Sequence, residues 1–360
     1  MGERSKSLLV YTTMHFIVDF TCFYILIGIL GEVPIMVKEK GMLFLLYNFV
    51  AFAFQVVIGA FMKKESYRRS VLTGIVFILV GLIVTNISIS NVFAILVIIL
   101  IGLGNAFFHI GGGIDALIYS QGRYARPGIF VSSGAIGVSL GTYMGARHIV
   151  PVWMFITLLL GGIVVVCLLK ENEEEKVEPA HVITYVFQKE EDNRTVYSIV
   201  LLFCMLAIGI RSYVGSMITV KTDWFLWPAI FACMGKAFGG VLADRFGVRK
   251  IALGSLAISG ICLWIPGDIV VIRLMGVFLF NFVMPITLYI LYEQFAHQPG
   301  FAFGLSTLAL FLGILPGYFL NIAEEFYHNI ILALTMAAVL LLFVCLPAKS
   351  EKGNTYETSV

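Results

Sequence analysis

The chain is divided into blocks of about 20 consecutive, mostly apolar residues that are separated by polar loops. A helix of roughly 20 residues is long enough to cross the hydrocarbon core of a bilayer. Composition agrees, because 59% of the 360 residues are hydrophobic and only 13% are charged, whereas soluble domains are roughly half apolar and a quarter charged. We therefore predict an all-α polytopic membrane protein.

Twelve blocks fit this length, and we number them spans 1 to 12. They cover residues 8–30, 42–62, 70–89, 92–118, 128–147, 150–169, 195–218, 224–242, 251–266, 269–292, 300–320 and 329–347. The first block has no small-residue cleavage motif, so we expect a first span rather than a signal peptide. All six cysteines lie inside blocks at unrelated spacings, which indicates packing residues rather than disulfides or a metal site.

The basic residues predict the orientation of the chain. If the N-terminus is cytoplasmic, that side of the membrane holds 17 of the 24 Lys and Arg residues, as the positive-inside rule requires. We therefore expect both termini in the cytoplasm. The longest polar stretch divides the spans six and six, which predicts a helical bundle over 1–169, a cytoplasmic linker over 170–194, a second bundle over 195–347 and a tail over 348–360.

The two predicted halves also repeat a pattern. The loop after span 2 reads GAFMKKESYRRS and the loop after span 8 reads GVLADRFGVRKI. Gly59 and Arg68 align with Gly240 and Arg249 at a constant offset of 181 residues, about half of the chain. Two related halves suit a transporter that rocks around a site near the bilayer midplane.

The second of these loops resembles a known family motif. The run GGVLADRFGVRK resembles the cytoplasmic-loop motif of the major facilitator superfamily, which lies between spans 2 and 3 and often again between spans 8 and 9. The resemblance implies the major facilitator fold, with spans 1, 4, 7 and 10 around a central cavity and spans 3, 6, 9 and 12 toward lipid. In the first loop, Lys63 stands where the motif has an acid.

Loop charges of this kind can act as a conformational latch. An acid can lie against a helix N-terminus, and a basic side chain can pair across the gap between halves, in one conformation only. We assign this role to a set within the motif: Gly240, Asp244, Arg245, Gly247 and Arg249. The alternative is that the basic residues only fix the topology.

Ionisable residues lie inside a few spans only. Such a residue costs about 3 kcal/mol at the bilayer centre, so it faces protein or a water-filled cavity. His15 and Asp19 in span 1 are four residues apart and share one helix face, and His109 in span 4 lies at a similar depth. An acid beside two imidazoles is suited to binding and releasing protons. The alternative for His109 is a hydrogen bond to a neighbouring helix.

The second half carries positive charge opposite this acid. Arg211 in span 7 and Lys236 in span 8 are candidates for contact with an anionic group of a substrate, and Asn105 is a further substrate-contact candidate in span 4. Two alternatives stay open at this point. Lys236 can pair with Asp244, and Arg211 can extend toward the membrane surface.

Spans 1, 4 and 5 carry a second resemblance. HFIVD in span 1 and GLGNAFFH followed by GRYARPG resemble the fosmidomycin-resistance type of exporter, although Ile110 stands where that pattern usually has proline. In span 5, Gly137, Gly141 and Gly145 fit the G-x8-G-x3-G-P-x2-G-G motif of antiporters in the superfamily, without its proline and its last glycine. Small residues at this spacing allow close helix contact.

These features predict a secondary active transporter, most simply a proton-coupled exporter of a small organic molecule. The chain has no G-x-x-x-x-G-K-[ST] loop, which argues against an ATP-driven pump, and a net charge of +2 gives no sign of nucleic-acid binding. We expect a monomer in lipid, without cofactor or metal. One alternative is proton-coupled uptake of a nutrient or organic anion. Another is an intramembrane metal enzyme with His15, Asp19 and His109 as ligands.

Overall fold

The computed structural model describes residues 2–85, 90–170, 193–265 and 269–346. In these ranges the ordered elements are helices, and they form twelve rods that follow the twelve predicted spans. Eight rods are long and apolar enough to cross a membrane by themselves. The predicted linker between 171 and 192 and the tail over 348–360 lie outside the described residues.

The rods of the first predicted half begin and end as follows. Span 1 is Glu3–Tyr24 followed by a π-helical turn over Ile25–Ile29, and span 2 is Lys40–Asn48, a π-helical turn over Phe49–Ala53, and Gln55–Phe61. Spans 3 to 6 are Tyr67–Thr85, Asn91–Ile118, the pair Ala125–Ser132 and Gly134–Gly145, and Val152–Leu168. Span 5 is thus interrupted at Ser133.

The second predicted half has the same order. Spans 7, 8 and 9 are Asn193–Met217, Trp227–Phe246 and Val248–Trp264. Span 10 is Val270–Phe280 followed by Val283–Gln294, and spans 11 and 12 are Pro299–Phe319 and Tyr327–Cys345. Short helical turns over Pro34–Lys38, Lys64–Ser66 and Glu324–Phe326 lie in the connections.

Span 8 is longer than the sequence indicated. Its predicted end was residue 242, whereas the helix continues to Phe246, so Asp244 and Arg245 lie in its last turn and not in a loop. The chain turns at Gly247, where φ is 95°, and span 9 begins at the next residue. A positive φ favours glycine, because a Cβ atom clashes in this region. Gly247 therefore allows the sharp turn between spans 8 and 9.

Spans 3, 6, 9 and 12 expose apolar side chains on the outside of the bundle. Trp153 and Val164 of span 6 are 66% and 57% exposed, and Leu340 of span 12 is 70% exposed. Spans 3 and 9 expose Val76, Val80, Ile258 and Ile261 in the same way. Apolar patches of this extent mark a surface for a partner or a membrane, and we expect lipid to cover them.

Two pairs of helices make the most extensive contacts between the predicted halves in the described residues. Span 2 packs on span 11 and span 5 packs on span 8. Both contacts are closest at the end of the bundle where the chain starts, which we call the N-terminal face. There a Cβ atom on Gly59 would collide with the backbone of Gly300, and one on Gly240 with the backbone of Tyr124. The halves are therefore tightly apposed at the N-terminal face.

Candidate proton and substrate site

Four polar side chains of spans 1 and 4 meet in the interior of the bundle. His15, Asp19, Asn105 and His109 are only 1–7% exposed. The Asp19 carboxylate lies 3.2 Å from His15 Nε2 and accepts a hydrogen bond of 2.8 Å from the Asn105 amide. His109 Nε2 lies 2.8 Å from His15 Nε2 and 3.9 Å from Asp19 Oδ1. We call these four residues the central cluster.

All four ring nitrogens of His15 and His109 have hydrogen-bond partners. His15 Nδ1 lies 2.8 Å from the Phe130 carbonyl, and His109 Nδ1 lies 2.9 Å from the Asn105 carbonyl. Carbonyl oxygens only accept, so both Nδ1 atoms carry hydrogen. One of the two facing Nε2 atoms must then donate to the other. The two rings can therefore hold a proton between them, next to the Asp19 carboxylate.

Span 5 contributes a residue that the sequence did not single out. A Cβ atom on Gly134 would collide with Asp19 Oδ2 and His15 Nε2. Any side chain at position 134 would therefore displace the carboxylate and the imidazole from each other. The Phe130 carbonyl that anchors His15 comes from the same span. A hydrogen bond accepted by a backbone carbonyl leaves no residue-type signal in a sequence, which is why this contact could not be predicted.

The three glycines predicted to pack in span 5 lie along span 1. A Cβ atom on Gly137 would lie 3.2 Å from Asp19 Cβ, and one on Gly141 would lie 2.6 Å from the Phe20 carbonyl oxygen. Gly145 meets Gly28 of span 1 in the same manner, with a Cβ contact of 3.0 Å. Spans 1 and 5 are therefore in backbone contact beside the central cluster.

The glycine run after His109 serves three different neighbours. Successive residues of a helix point about 100° apart. Accordingly, Gly111 faces the backbone of span 3 at Tyr67, Gly112 faces the ring of Phe130 and Gly113 faces the ring of Phe303 in span 11. Next to the central cluster, the run thus lets span 4 lie close to spans 3 and 5 of its own half and to span 11 of the other half.

The two predicted cations of the second half have different surroundings. Arg211 is 8% exposed, and its Nε has no hydrogen-bond partner among the described residues. Lys236 is half-buried and interacts electrostatically with Arg211, with Asp19 and with His109. Its backbone lies against span 5, because a Cβ atom on Gly128 would lie 2.7 Å from the Lys236 carbonyl oxygen. No ion pair of Lys236 with Asp244 occurs in the described part of the chain.

The other acid of span 4 has a fixed partner. Asp115 is 1% exposed and pairs with Arg126 of span 5 at 2.6 Å. Arg126 also donates to the Arg4 carbonyl, and Ser7 lies 3.3 Å from the same carboxylate. The pair ties the start of span 1 to spans 4 and 5, which makes Asp115 a poor candidate for reversible proton binding.

Asp244 joins the two predicted halves at the N-terminal face. Its carboxylate accepts hydrogen bonds of 2.8 and 3.0 Å from the backbone N–H groups of Tyr124 and Ala125, where span 5 begins. An anion at a helix N-terminus is stabilised by the unpaired N–H groups and the helix dipole. Of the basic latch candidates, Arg245 lies over Phe246 at 5.3 Å and Arg249 over Phe343 of span 12 at 4.2 Å.

The central cluster also has the composition of a metal site. One ligand atom from each of His15, Asp19 and His109 lies within 4.8 Å of the others. Both imidazoles are anchored through Nδ1 by carbonyls, as metal-bound histidines usually are. Two nitrogens at ~2.05 Å from a tetrahedral zinc ion lie ~3.3 Å apart, however. The two Nε2 atoms, at 2.8 Å, are closer than that and fit a shared proton better.

Comparison with solved structures identifies the class of fold. The fucose:proton symporter FucP of E. coli superposes with a TM-score of 0.67 over 94% of this chain and 97% of that chain, at 11% identity. FucP described as a major facilitator superfamily transporter in the outward conformation superposes with a TM-score of 0.64 over 94% and 98%, at 12% identity. The chain therefore has the major facilitator fold.

One curated protein gives a sequence relationship. The fosmidomycin resistance protein of Escherichia coli (strain K12) is 24% identical over 251 residues, which are 63% of this chain. The alignment spans 61% of that protein, less than two thirds of its length. No family model matches this chain. The relationship agrees with the resemblance in spans 1, 4 and 5.

Proposed function

We propose that the protein is a secondary active transporter that moves a small organic molecule across the cell membrane in exchange for, or together with, protons. The observation that carries this proposal is the central cluster, a buried carboxylate 3.2 Å from His15 and 3.9 Å from His109, whose facing Nε2 atoms are 2.8 Å apart. A buried group of this kind is costly in a membrane protein and marks a proton or substrate path. The major facilitator fold and the related resistance protein support the transporter class.

The proposed cycle alternates access to the central cluster. When the halves separate at the N-terminal face, the contacts of Asp244 with span 5 and of Gly59 with Gly300 break, and the cluster is reached from that side. When they close, the cluster is reached from the opposite face. Proton and substrate drive each other only if each changes the binding free energy of the other, typically by ~1–3 kcal/mol. Asn105 holds Asp19 in place and is a candidate for substrate contact through its Oδ1, which has no hydrogen-bond partner among the described residues.

A change at His109 tests the proton role. In His109→Gln the amide can still donate to His15, but the shared proton between two imidazoles is lost. We expect the dependence of transport rate on pH to become shallower, while substrate binding falls less than transport. The measurement is substrate flux into proteoliposomes at a series of pH values, together with binding to the purified protein.

The exposed His297 provides the matched control, since His297→Gln removes an imidazole far from the cluster. It is expected to leave the pH dependence of flux unchanged. A His109→Gln protein with the pH profile of the wild type would mean that this imidazole is a packing residue only.

A change at Asp244 tests the latch. Asp244→Asn removes the charge at the start of span 5 and turns an amide toward an N–H group, which weakens the closed N-terminal face by about 1 kcal/mol. We expect a transport rate reduced several-fold with substrate affinity within about twofold of the wild type, because the residue is far from the cluster. Flux and equilibrium binding measure the two effects.

Asp223→Asn is the control for this variant, because Asp223 is exposed in the connection between spans 7 and 8. Loss of substrate affinity with a normal turnover in Asp244→Asn would contradict a latch role and would place Asp244 in the binding site.

For the direction of transport we propose export. It is supported by the relationship to a resistance protein and by the backbone contact of the span 5 glycines with span 1. Proton-driven export requires that proton and substrate compete. The test is flux in vesicles of known orientation with an imposed pH gradient. Export in exchange for protons predicts that substrate accumulates only when protons flow in the opposite direction to the substrate.

A second candidate is proton-coupled uptake of an organic anion. One observation favours it, namely that Lys236 interacts electrostatically with both Asp19 and His109. A proton added to the cluster makes the cavity more positive, and an anion near Lys236 then binds more tightly. The same vesicle experiment separates the two candidates, since uptake together with protons predicts that substrate accumulates when protons flow in the same direction as the substrate.

The metal-enzyme alternative requires a bound ion at the central cluster, with an open coordination position. Elemental analysis of the purified protein tests it directly. A stoichiometric transition metal that is lost in His109→Gln would favour this alternative over a proton site.

A further inference from the structure

We infer that Arg211 and Lys236 form a binding site for the anionic group of the transported molecule, such as a carboxylate or a phosphonate. This inference rests on the proposed transport function and narrows its substrate class. It concerns the second predicted half, opposite the central cluster.

The surroundings of Arg211 supply the first argument. The guanidinium lies in span 7 with 92% of the residue surface buried, and its Nε has no hydrogen-bond partner among the described residues. A buried charge without a counter-ion is unfavourable, since guanidinium groups are normally paired with carboxylates or phosphates. A buried donor with no partner is therefore an unfilled position for an acceptor.

The charge balance supplies the second argument. Among the described acids of the spans, Asp115 is paired with Arg126, and Asp244 lies on the N-terminus of span 5. Glu293 lies in the last turn of span 10. Asp19 contacts His15 and accepts a hydrogen bond from Asn105 in the central cluster. Neither Arg211 nor Lys236 thus forms an ion pair with an acid among the described residues.

The position of Lys236 supplies the third argument. It interacts electrostatically with Arg211 on one side and with Asp19 and His109 on the other. Two like charges within range of each other repel, and a shared anion between them removes this repulsion. An anion here would also lie within electrostatic range of the proton site, which is the arrangement that coupling requires.

The test measures stabilisation of the purified full-length protein in detergent by matched small molecules. The probes are benzoate, phenylphosphonate and benzenesulfonate at ~10 mM and constant ionic strength, each paired with the uncharged benzamide or benzyl alcohol. A ligand that binds only the folded state raises the unfolding midpoint. We expect at least one anion, and neither uncharged probe, to raise the midpoint of the wild type.

Variants assign the effect to the two cations. Arg211→Gln and Lys236→Gln should each weaken the responding anion by roughly tenfold or more, as expected for a lost charge-assisted hydrogen bond. Arg273→Gln is the matched control, because Arg273 of span 10 is buried to the same degree, at 9% exposed, but contacts His328 near the opposite face. It should keep the anion response.

Three results would overturn the inference: no response to any anion, an equal response to the uncharged probes, or an anion response that survives in Arg211→Gln and Lys236→Gln. Failure of the proposed transport function has a different signature. In that case anions still bind through Arg211 and Lys236, but no flux is coupled to a pH gradient.

Discussion

Asp19→Asn is expected to abolish transport against a concentration gradient while leaving downhill flux and substrate exchange. The carboxylate lies 3.2 Å from one imidazole and 2.8 Å from the Asn105 amide, inside a bundle where it is 7% exposed. Asparagine keeps the volume and can accept from Asn105, but it has no charge that changes between the loaded and unloaded states. Without that change the proton gradient has no differential affinity on which to act.

The measurement is accumulation of substrate in proteoliposomes with and without an imposed pH gradient. Wild-type protein should concentrate substrate with the gradient, whereas Asp19→Asn should only equilibrate it, as wild-type protein does without the gradient. Asp223→Asn, at an exposed acid, should behave as wild type. Accumulation by Asp19→Asn at the wild-type level would show that the proton site lies elsewhere. Glu293 is then the next candidate, because its Oε2 is buried without a hydrogen-bond partner among the described residues.

Gly141→Val is expected to cause the second large loss, through packing rather than charge. A Cβ atom at this position would lie 2.6 Å from the Phe20 carbonyl oxygen and 2.8 Å from Phe23 Cβ. Distances this short require spans 1 and 5 to move apart, and overpacking of this kind costs about 1–3 kcal/mol. Because Asp19 lies on the same contact, separation of the spans should also disturb the central cluster.

The expected result is a lower unfolding midpoint and strongly reduced flux. Gly161→Val in span 6 is the matched control, since a Cβ atom there meets no described atom within 4 Å apart from its chain neighbours and the backbone of its own helix. It makes the same substitution in a membrane helix without a close contact. If Gly141→Val kept the wild-type midpoint and flux, the close approach of spans 1 and 5 would have no part in folding or in the cycle.

Some features followed from the sequence alone because their causes are local. Twelve rods follow the twelve predicted apolar blocks in the described residues, since a bilayer requires about 20 apolar residues for each crossing. The pairing of His15 with Asp19 followed from their four-residue spacing on one helix face. The fold class came from the block pattern together with the resemblance of Gly239–Lys250 to a family motif, and the structural comparison confirmed it.

Other features required the tertiary structure because they join helices that are distant in sequence. Hydropathy placed the end of span 8 too early, because Asp244 is charged. The helix in fact continues to Phe246, and this places Asp244 at the start of span 5. The ion pair of Asp115 with Arg126 could not be predicted either, because the sequence of the two spans does not show which of their residues meet.

The central cluster shows the division most clearly. Sequence placed an acid and two histidines at a similar depth, since depth depends only on the rise per residue. The packing of spans 1, 4 and 5 decides the contacts within the cluster. It turns His109 Nε2 toward His15, brings the Phe130 carbonyl to His15 and lets Gly134 leave room for His15 and Asp19. Periodicity tells which face of a helix is polar, whereas close packing decides which atoms on that face meet.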